Sequence, residues 1–170
     1  MGHGLILGMT ESGKSTLAKE LAAALHARGT CIIILDPLHD PGWPNGERTF
    51  QTADRAQFLA MVKASRSCAV FVDESAQMIG RYAGEMEWLA TQGRHWGHSS
   101  FFISQRAQQL SVTMRGQCRF LALFRCSLDD GKTHANEWAR EELKGANELA
   151  QGEYFFCERF GPLKRYKLWK

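Results

Sequence analysis

The sequence predicts an α/β protein whose mainly parallel sheet carries helices on both faces. Three observations lead there. Short apolar runs recur at GLIL (4–7), CIIIL (31–35), CAVFV (68–72) and FLALF (120–124), each long enough for a strand and too short for a helix. They show no polar alternation, the pattern of strands buried on both faces. Helix-forming segments lie between them, and strands alternating with helices specify parallel pairing.

The elements follow in chain order. Strand 4–7 leads into a helix from about Lys14 to Arg28, where Leu17, Leu21 and Leu25 recur every four residues and Gly29 stops the pattern. Strand 31–35 is followed by PLHDPGWPNGERTF (37–50), which holds three of the four prolines and reads as an irregular loop. Trp43 within it reads as an exposed aromatic serving as a packing cap. A helix over 54–64 precedes strand 68–72. The region 76–92 reads as helical, interrupted by Gly80 and Gly84. Strand 100–104, a helix or turn near 107–116, strand 120–124 and a polar helix over 133–149 continue the alternation. EYFFCERF (153–160) and LKRYKLW (163–169), joined by Gly161-Pro162, read as a C-terminal antiparallel hairpin. No repeat and no internal boundary interrupts the chain, so residues 1–170 are expected to form a single domain.

Composition narrows the function classes. Net charge is +3, which permits a nucleic-acid partner without requiring one. No apolar run reaches the ~18 residues of a membrane span, so no transmembrane segment is expected. The five cysteines lack any CxxC pair and are odd in number, which suits buried reduced thiols better than a disulfide framework. The six histidines show no metal-ligand spacing.

Two motifs carry chemistry. GMTESGKST (8–16) lies between the first strand and the first helix and matches GxxxxGK[ST]. In such a loop the glycines let backbone N–H groups wrap a phosphate, and the helix N-terminus adds its positive dipole. Gly8, Met9, Thr10, Glu11, Ser12, Gly13, Lys14, Ser15 and Thr16 are therefore the candidate nucleotide-binding residues. Lys14 would neutralise the β and γ phosphates and the Ser15 hydroxyl would hold Mg²⁺. AVFVDES (69–75) supplies the metal side. Asp73 ends a buried strand in position to hold Mg²⁺, and Glu74 is placed to polarise a water for attack on the γ-phosphate. Glu74 equally suits a helix-N-terminal acid serving the dipole. The fold class expected is thus a P-loop NTPase three-layer sandwich, with 4–7 and 68–73 as its Walker A and Walker B strands, and ATP with Mg²⁺ as its ligands.

HSSFFISQRAQQ (98–109) is a strand ending in an amide and a guanidinium. If it runs parallel to 68–73, Gln105 reaches the rim of the phosphate loop, where an amide can donate and accept at once; Gln105 is also readable as simply the first residue of a loop.

These residues together resemble the FtsK–HerA superfamily of P-loop DNA-pumping ATPases, and most nearly the genome-packaging ATPases of tailless, internal-membrane viruses. The likeness rests on GMTESGKST, the Asp36-Pro37 ending of the second strand, VFVDES, GRHWGHSSFFISQRAQQ (93–109) and the closing GEYFF…LKRYKLW. The resemblance implies an ATP-hydrolysing motor that pumps double-stranded DNA into a capsid. It implies a ring, usually a hexamer, a capsid or membrane vertex protein as a further partner, and residence in host cytoplasm or virion. Gln105 becomes the sensor coupling nucleotide state to movement. An arginine reaching a neighbour's γ-phosphate is also implied, with Arg94 first and Arg106 and Arg115 as alternatives; each is also readable as a surface arginine. Because larger relatives carry additional DNA-guiding domains, DNA contact is expected from loops or the tail: Arg81 and Tyr82, or Lys164, Arg165, Lys167 and Lys170 around Tyr166. Lysines there also suit a protected sheet edge. Two other classes remain open on the residues alone, a small P-loop kinase and a nucleotide-dependent assembly switch.

Overall fold

The computed structural model of the chain describes residues 2–73 and 83–169. Strands β1 (His3–Leu7), β2 (Ile32–Leu35), β3 (Thr49–Thr52), β4 (Ala69–Val72), β5 (Ser99–Ser104), β6 (Cys118–Phe124), β7 (Glu153–Glu158) and β8 (Leu163–Lys167) form one sheet in the order β3-β2-β4-β5-β1-β6-β7-β8. The pairings from β3 through to β6 are parallel, and β7 and β8 are added antiparallel. Helices α1 (Lys14–Ala27), α2 (Arg55–Ala64), α3 (Ala83–Gln92), α4 (Val112–Gln117) and α5 (Leu128–Trp138) supply the outer layers.

The continuous apolar runs are explained by burial on both faces. Alternate residues separate into two cores: Leu5, Leu7, Ile33, Leu35, Val70 and Val72 on one side, and Ile6, Ile32, Ile34, Ala69 and Phe71 on the other. The first core packs against α2, α3, α4 and α5 through Phe58, Leu59, Val62, Met86, Leu89, Met114 and Trp138. The second packs against α1 through Ala18, Ala22 and Leu25. A three-layer sandwich follows directly, because each strand face must be covered.

Several expectations are corrected. The 37–50 segment is not irregular to its end, since Thr49 begins β3, which pairs parallel with β2 along the sheet edge. Trp43 is 3% exposed rather than exposed: its ring lies 5.5 Å from that of Phe71, and its Nε1 donates to Asp36 Oδ2 at 3.1 Å. It is the packing cap the sequence suggested. The polar helix over 133–149 is instead two pieces. Ser127 caps α5 by accepting from the Asp130 N–H, and left-handed Ala139 (φ 51°) ends it before a 3-10 helix, Glu141–Glu148. Four cysteines are buried thiols, but Cys31 is exposed; all five are free.

Neutral histidines hold the rim where β4 and β5 begin. His3 Nδ1 accepts from the Ser100 N–H at 3.0 Å, and His98 Nδ1 accepts from the Cys68 N–H at 3.2 Å. An imidazole that accepts at Nδ1 must be unprotonated there. Burial, with Arg94 and His98 nearby, lowers the His3 pKa to about 4, and burial also lowers that of His98. On α5, burial pushes His134 down to about 4 as well. Each group protonates more readily unfolded than folded; for His3 and His134 the stability contribution is complete above pH 6.5 and is lost as pH falls towards 4. Chemical denaturation is expected to show stability dropping by up to about 3 kcal/mol for each of His3 and His134 across that window. His134→Leu should remove its share of the slope; an unchanged slope would mean that His134 titrates normally.

Candidate active site

The phosphate loop is shaped by backbone constraints that few residues tolerate. Gly8 has φ 151°, and a Cβ there would lie 2.6 Å from Phe124 Cβ. Gly13 has φ 112° and precedes α1 without any side-chain cap. The first turn of α1 carries no acid either, so its N-terminal amide groups and dipole are left for an anion from outside the helix. The loop is anchored on both flanks: Gly8 N donates to the Ser104 carbonyl at 3.3 Å, and Met9 N to that of Arg125 at 2.8 Å. Lys14 is buried, with Nζ donating to the Met9 carbonyl at 2.7 Å. Ser12 Oγ is buried with no hydrogen-bond partner among the described residues. A buried hydroxyl without a partner is costly and marks a place where a ligand oxygen fits.

An open cleft of about 290 Å³ lies beside this loop. It is lined by Thr10, Glu11, Lys14 and Ser15 from the loop, Asp36 and Asp40 from the β2 end, Asp73 from the β4 end, and Ser104, Gln105 and Gln109 from the β5 end. The strand order accounts for this gathering. β5 lies between β1 and β4, so its exit falls between the phosphate loop and Asp73. Oxygen donors such as the Ser15 hydroxyl and the Asp73 carboxylate suit Mg²⁺, which is commonly held by one or two carboxylates plus substrate phosphates. Glu74 lies outside the described residues, as do Arg81, Tyr82 and Lys170.

Asp36 is 1% exposed and accepts from Leu38 N at 2.9 Å, Asp40 N at 2.7 Å, Trp43 Nε1 and Gln51 Nε2 at 3.0 Å. It organises the loop after β2. Asp40 is held below the ordinary carboxylate range by hydrogen bonds from Lys19 and Gly42.

Sequence reasoning missed Gln109. Its Oε1 accepts from Ser104 Oγ at 2.7 Å, Arg106 N at 3.0 Å and Gln105 N at 3.2 Å, so one amide fixes the end of β5 and the backbone of Gln105. The only signal was a glutamine pair, Gln108-Gln109, three and four residues after Gln105.

The arginines fall in different places. Arg94 is exposed in a 3-10 helix, Gly93–Trp96, before β5, whereas the phosphate loop follows β1, parallel to β5. A six-residue strand spans about 20 Å, so Arg94 stands at the opposite rim from its own loop. Arg106 lines a wider cavity of about 530 Å³ that adjoins Met9, Thr10 and Gln105 on its own chain. Arg115 is 7% exposed and committed internally: it pairs with Glu137 at 2.6 Å and donates to the Ala107 carbonyl at 2.7 Å. That removes Arg115 from the candidates for reaching a neighbour. In the tail, Arg165 pairs with Glu153 at 2.6 Å and Tyr166 stacks on Tyr154, with Lys164 and Lys167 exposed on the same edge strand.

The fold and the cleft together define the class: a P-loop NTPase fold with a candidate nucleotide cleft at one rim of its sheet. Among solved structures, the genome-packaging NTPase B204 from Sulfolobus turreted icosahedral virus 2, in complex with AMPPCP, is similar with TM-score 0.81 and 18% identity, covering 98% of this chain and 96% of that one. B204 from Sulfolobus turreted icosahedral virus, a DNA-packaging ATPase, is similar with TM-score 0.77 and 17% identity over 98% and 97% of the two chains. The pCW3 conjugation coupling protein TcpA, bound to ATPγS, gives TM-score 0.73 and 15% identity over 98% of this chain and 59% of that one. No protein-family model matches the chain, and no curated protein matches it.

Gln109→Ala should leave nucleotide binding intact while freeing the backbone of Gln105. We expect hydrogen exchange at the amides of Gln105 and Arg106 to quicken at least tenfold. Unchanged protection there would show that the Gln109 side chain does not hold the end of β5.

Proposed function

We propose that the chain is an ATP-hydrolysing motor that translocates double-stranded DNA, of the kind that packages a viral genome. The observation that carries this reading is the cleft, which gathers Lys14, Ser15, Asp73 and Gln105 on one rim of the sheet. Likeness to B204 and TcpA over nearly the whole chain supports it. Among the described residues no helix is long and apolar enough to cross a membrane.

In this reading the triphosphate lies along the loop, with Lys14 moving from the Met9 carbonyl to the β and γ phosphates. Ser15 and Asp73 would hold Mg²⁺, which supplies charge neutralisation on the phosphate oxygens. Glu74 accepts a proton from the attacking water as its oxygen bonds to γ-phosphorus and the bond to the ADP oxygen breaks. Gln105 orients that water or the γ-phosphate by hydrogen bonding. Arg94, remote from its own loop, is suited to a neighbour's γ-phosphate in a ring, usually a hexamer. Exposed Lys164 and Lys167 on β8 are the described residues offered for DNA phosphates. The partners in this reading are duplex DNA, further copies of the chain, and a capsid or membrane vertex protein, in host cytoplasm or virion.

Glu74→Gln is expected to bind ATP with near-normal affinity while phosphate release falls at least 100-fold, and duplex DNA should stimulate the unmodified chain. Full activity in Glu74→Gln would sink the base assignment, and phosphate release indifferent to DNA would sink the motor. Mixing Arg94→Ala subunits with Glu74→Gln subunits should restore part of the activity, because an intact Arg94 then meets an intact Glu74 across an interface. Absence of any rescue at every mixing ratio would exclude Arg94 as the trans residue.

A further inference from the structure

A second cavity, of about 280 Å³, opens on the other side of the phosphate loop. It is lined by Gly13, Lys14, Ser15, Thr16, Gln151 and Trp169, together with Glu11. Lys14 and Ser15 line this cavity and the carboxylate cleft alike. A chain of phosphates laid along these two residues therefore has one end in each cavity. Asp73 and Gln105 occupy the first, which assigns the terminal phosphate to that side. The nucleoside end must then leave through the second, beside Trp169.

Trp169 is positioned there rather than dangling. Gly152 has φ 78°, and a Cβ at that residue would lie 2.7 Å from Trp169 ring carbons. A Cβ on Gly13 would lie 3.4 Å from Trp169 Cη2. The indole thus packs on two glycines, one of them the last loop residue before α1. The backbone reinforces this: Leu168 N donates to the Gly152 carbonyl and Gly152 N to the Ser12 carbonyl, both at 3.0 Å, while Gln151 Nε2 donates to the Glu11 carbonyl at 3.0 Å. Even so, 41% of Trp169 remains exposed, on the border of this cavity. Exposed aromatic surface beside an anion site is a platform for a base, since every nucleobase offers a π face.

We propose that Trp169 is the stacking platform for the nucleobase of the bound nucleoside triphosphate, an inference that rests on the nucleotide-binding reading above. It assigns the tail residue a role that neither the loop motif nor the terminal hairpin pattern requires. Stacking tolerates any base, so the affinity gain is for the nucleoside and absent for a bare polyphosphate.

The test uses the full chain and calorimetric titration with Mg-ATP and with inorganic tripolyphosphate. Trp169→Ala should weaken ATP about 5- to 150-fold, the range of one base–aromatic stack, and leave tripolyphosphate within about twofold. Trp169→Phe should recover most of the loss. ATP should also quench tryptophan fluorescence in the unmodified chain but not in Trp169→Phe, whereas tripolyphosphate should quench neither. Unchanged ATP affinity in Trp169→Ala, with Lys14→Ala abolishing binding, would overturn the stacking role and leave the nucleotide reading standing. Equal losses for ATP and tripolyphosphate would also overturn it, because Trp169 would then act only by bracing the loop. Failure of the unmodified chain to bind either ligand would remove the nucleotide reading itself.

Discussion

The phosphate loop is positioned by the sheet rather than by its own sequence. Gly8 and Met9 donate their amides to Ser104, at the end of β5, and to Arg125, just past β6. Those are the two strands that flank β1. Each bond is worth only about 1 kcal/mol net, but together they fix the height and tilt of the loop against both neighbours. Gly8 makes this possible, since any side chain there would collide with Phe124. The rest of the site depends on this anchorage. The Lys14 ammonium, the start of α1 and the end of β5 share one frame, and displacing β5 against β1 would disturb all of them.

Polar side chains, buried or half-buried, finish the strand ends, and their chemistry differs between the two rims. On the phosphate side the caps are strong acceptors: Asp36 after β2 takes four donors, and Gln109 after β5 takes three. On the opposite rim the acceptors are the imidazoles of His3 and His98. A buried N–H left without an acceptor costs about 1–3 kcal/mol, so parallel strands that start and stop inside the protein need such residues. The consequence is a division of labour. Carboxylates gather where a cationic lysine balances them, while the far rim is held by groups that must remain neutral.

Much of this was legible in the sequence, for identifiable reasons. Strands buried on both faces leave uninterrupted apolar runs, so β1, β2, β4 and β6 announce themselves, and the helix period of Leu17, Leu21 and Leu25 does the same for α1. β3 was not legible because Thr49–Thr52 is short, mostly polar and at a sheet edge, where hydrogen bonds to β2 carry it with only Phe50 packing against the core. The break between α5 and the following 3-10 helix depends on left-handed Ala139, a residue whose type gives no warning of that conformation. Of the residues that line the cleft, those defined by local spacing (Thr10, Glu11, Lys14, Ser15) and by a strand end (Asp73, Gln105) were legible as candidates. The placements of Gln109 and Trp169 were not, because they depend on tertiary contacts with Ser104 and Gly152.

β5 connects the separate parts of the proposed motor. All six of its residues are buried, and it pairs with β4 on one side and β1 on the other. Gln105 follows it at the phosphate rim, and Arg94 stands a few residues before it at the opposite rim. A strand tied on both edges and covered on both faces cannot stretch or bend locally without breaking ladder hydrogen bonds or opening packed core. A shift imposed at Gln105 is therefore transmitted along the strand rather than absorbed by it. In a ring where Arg94 faces the next subunit, the residues that flank this strand, Gln105 after it and Arg94 before it, would stand at one site and at the approach to another. Coupling between neighbours then requires no flexible relay, only a strand too well packed to yield.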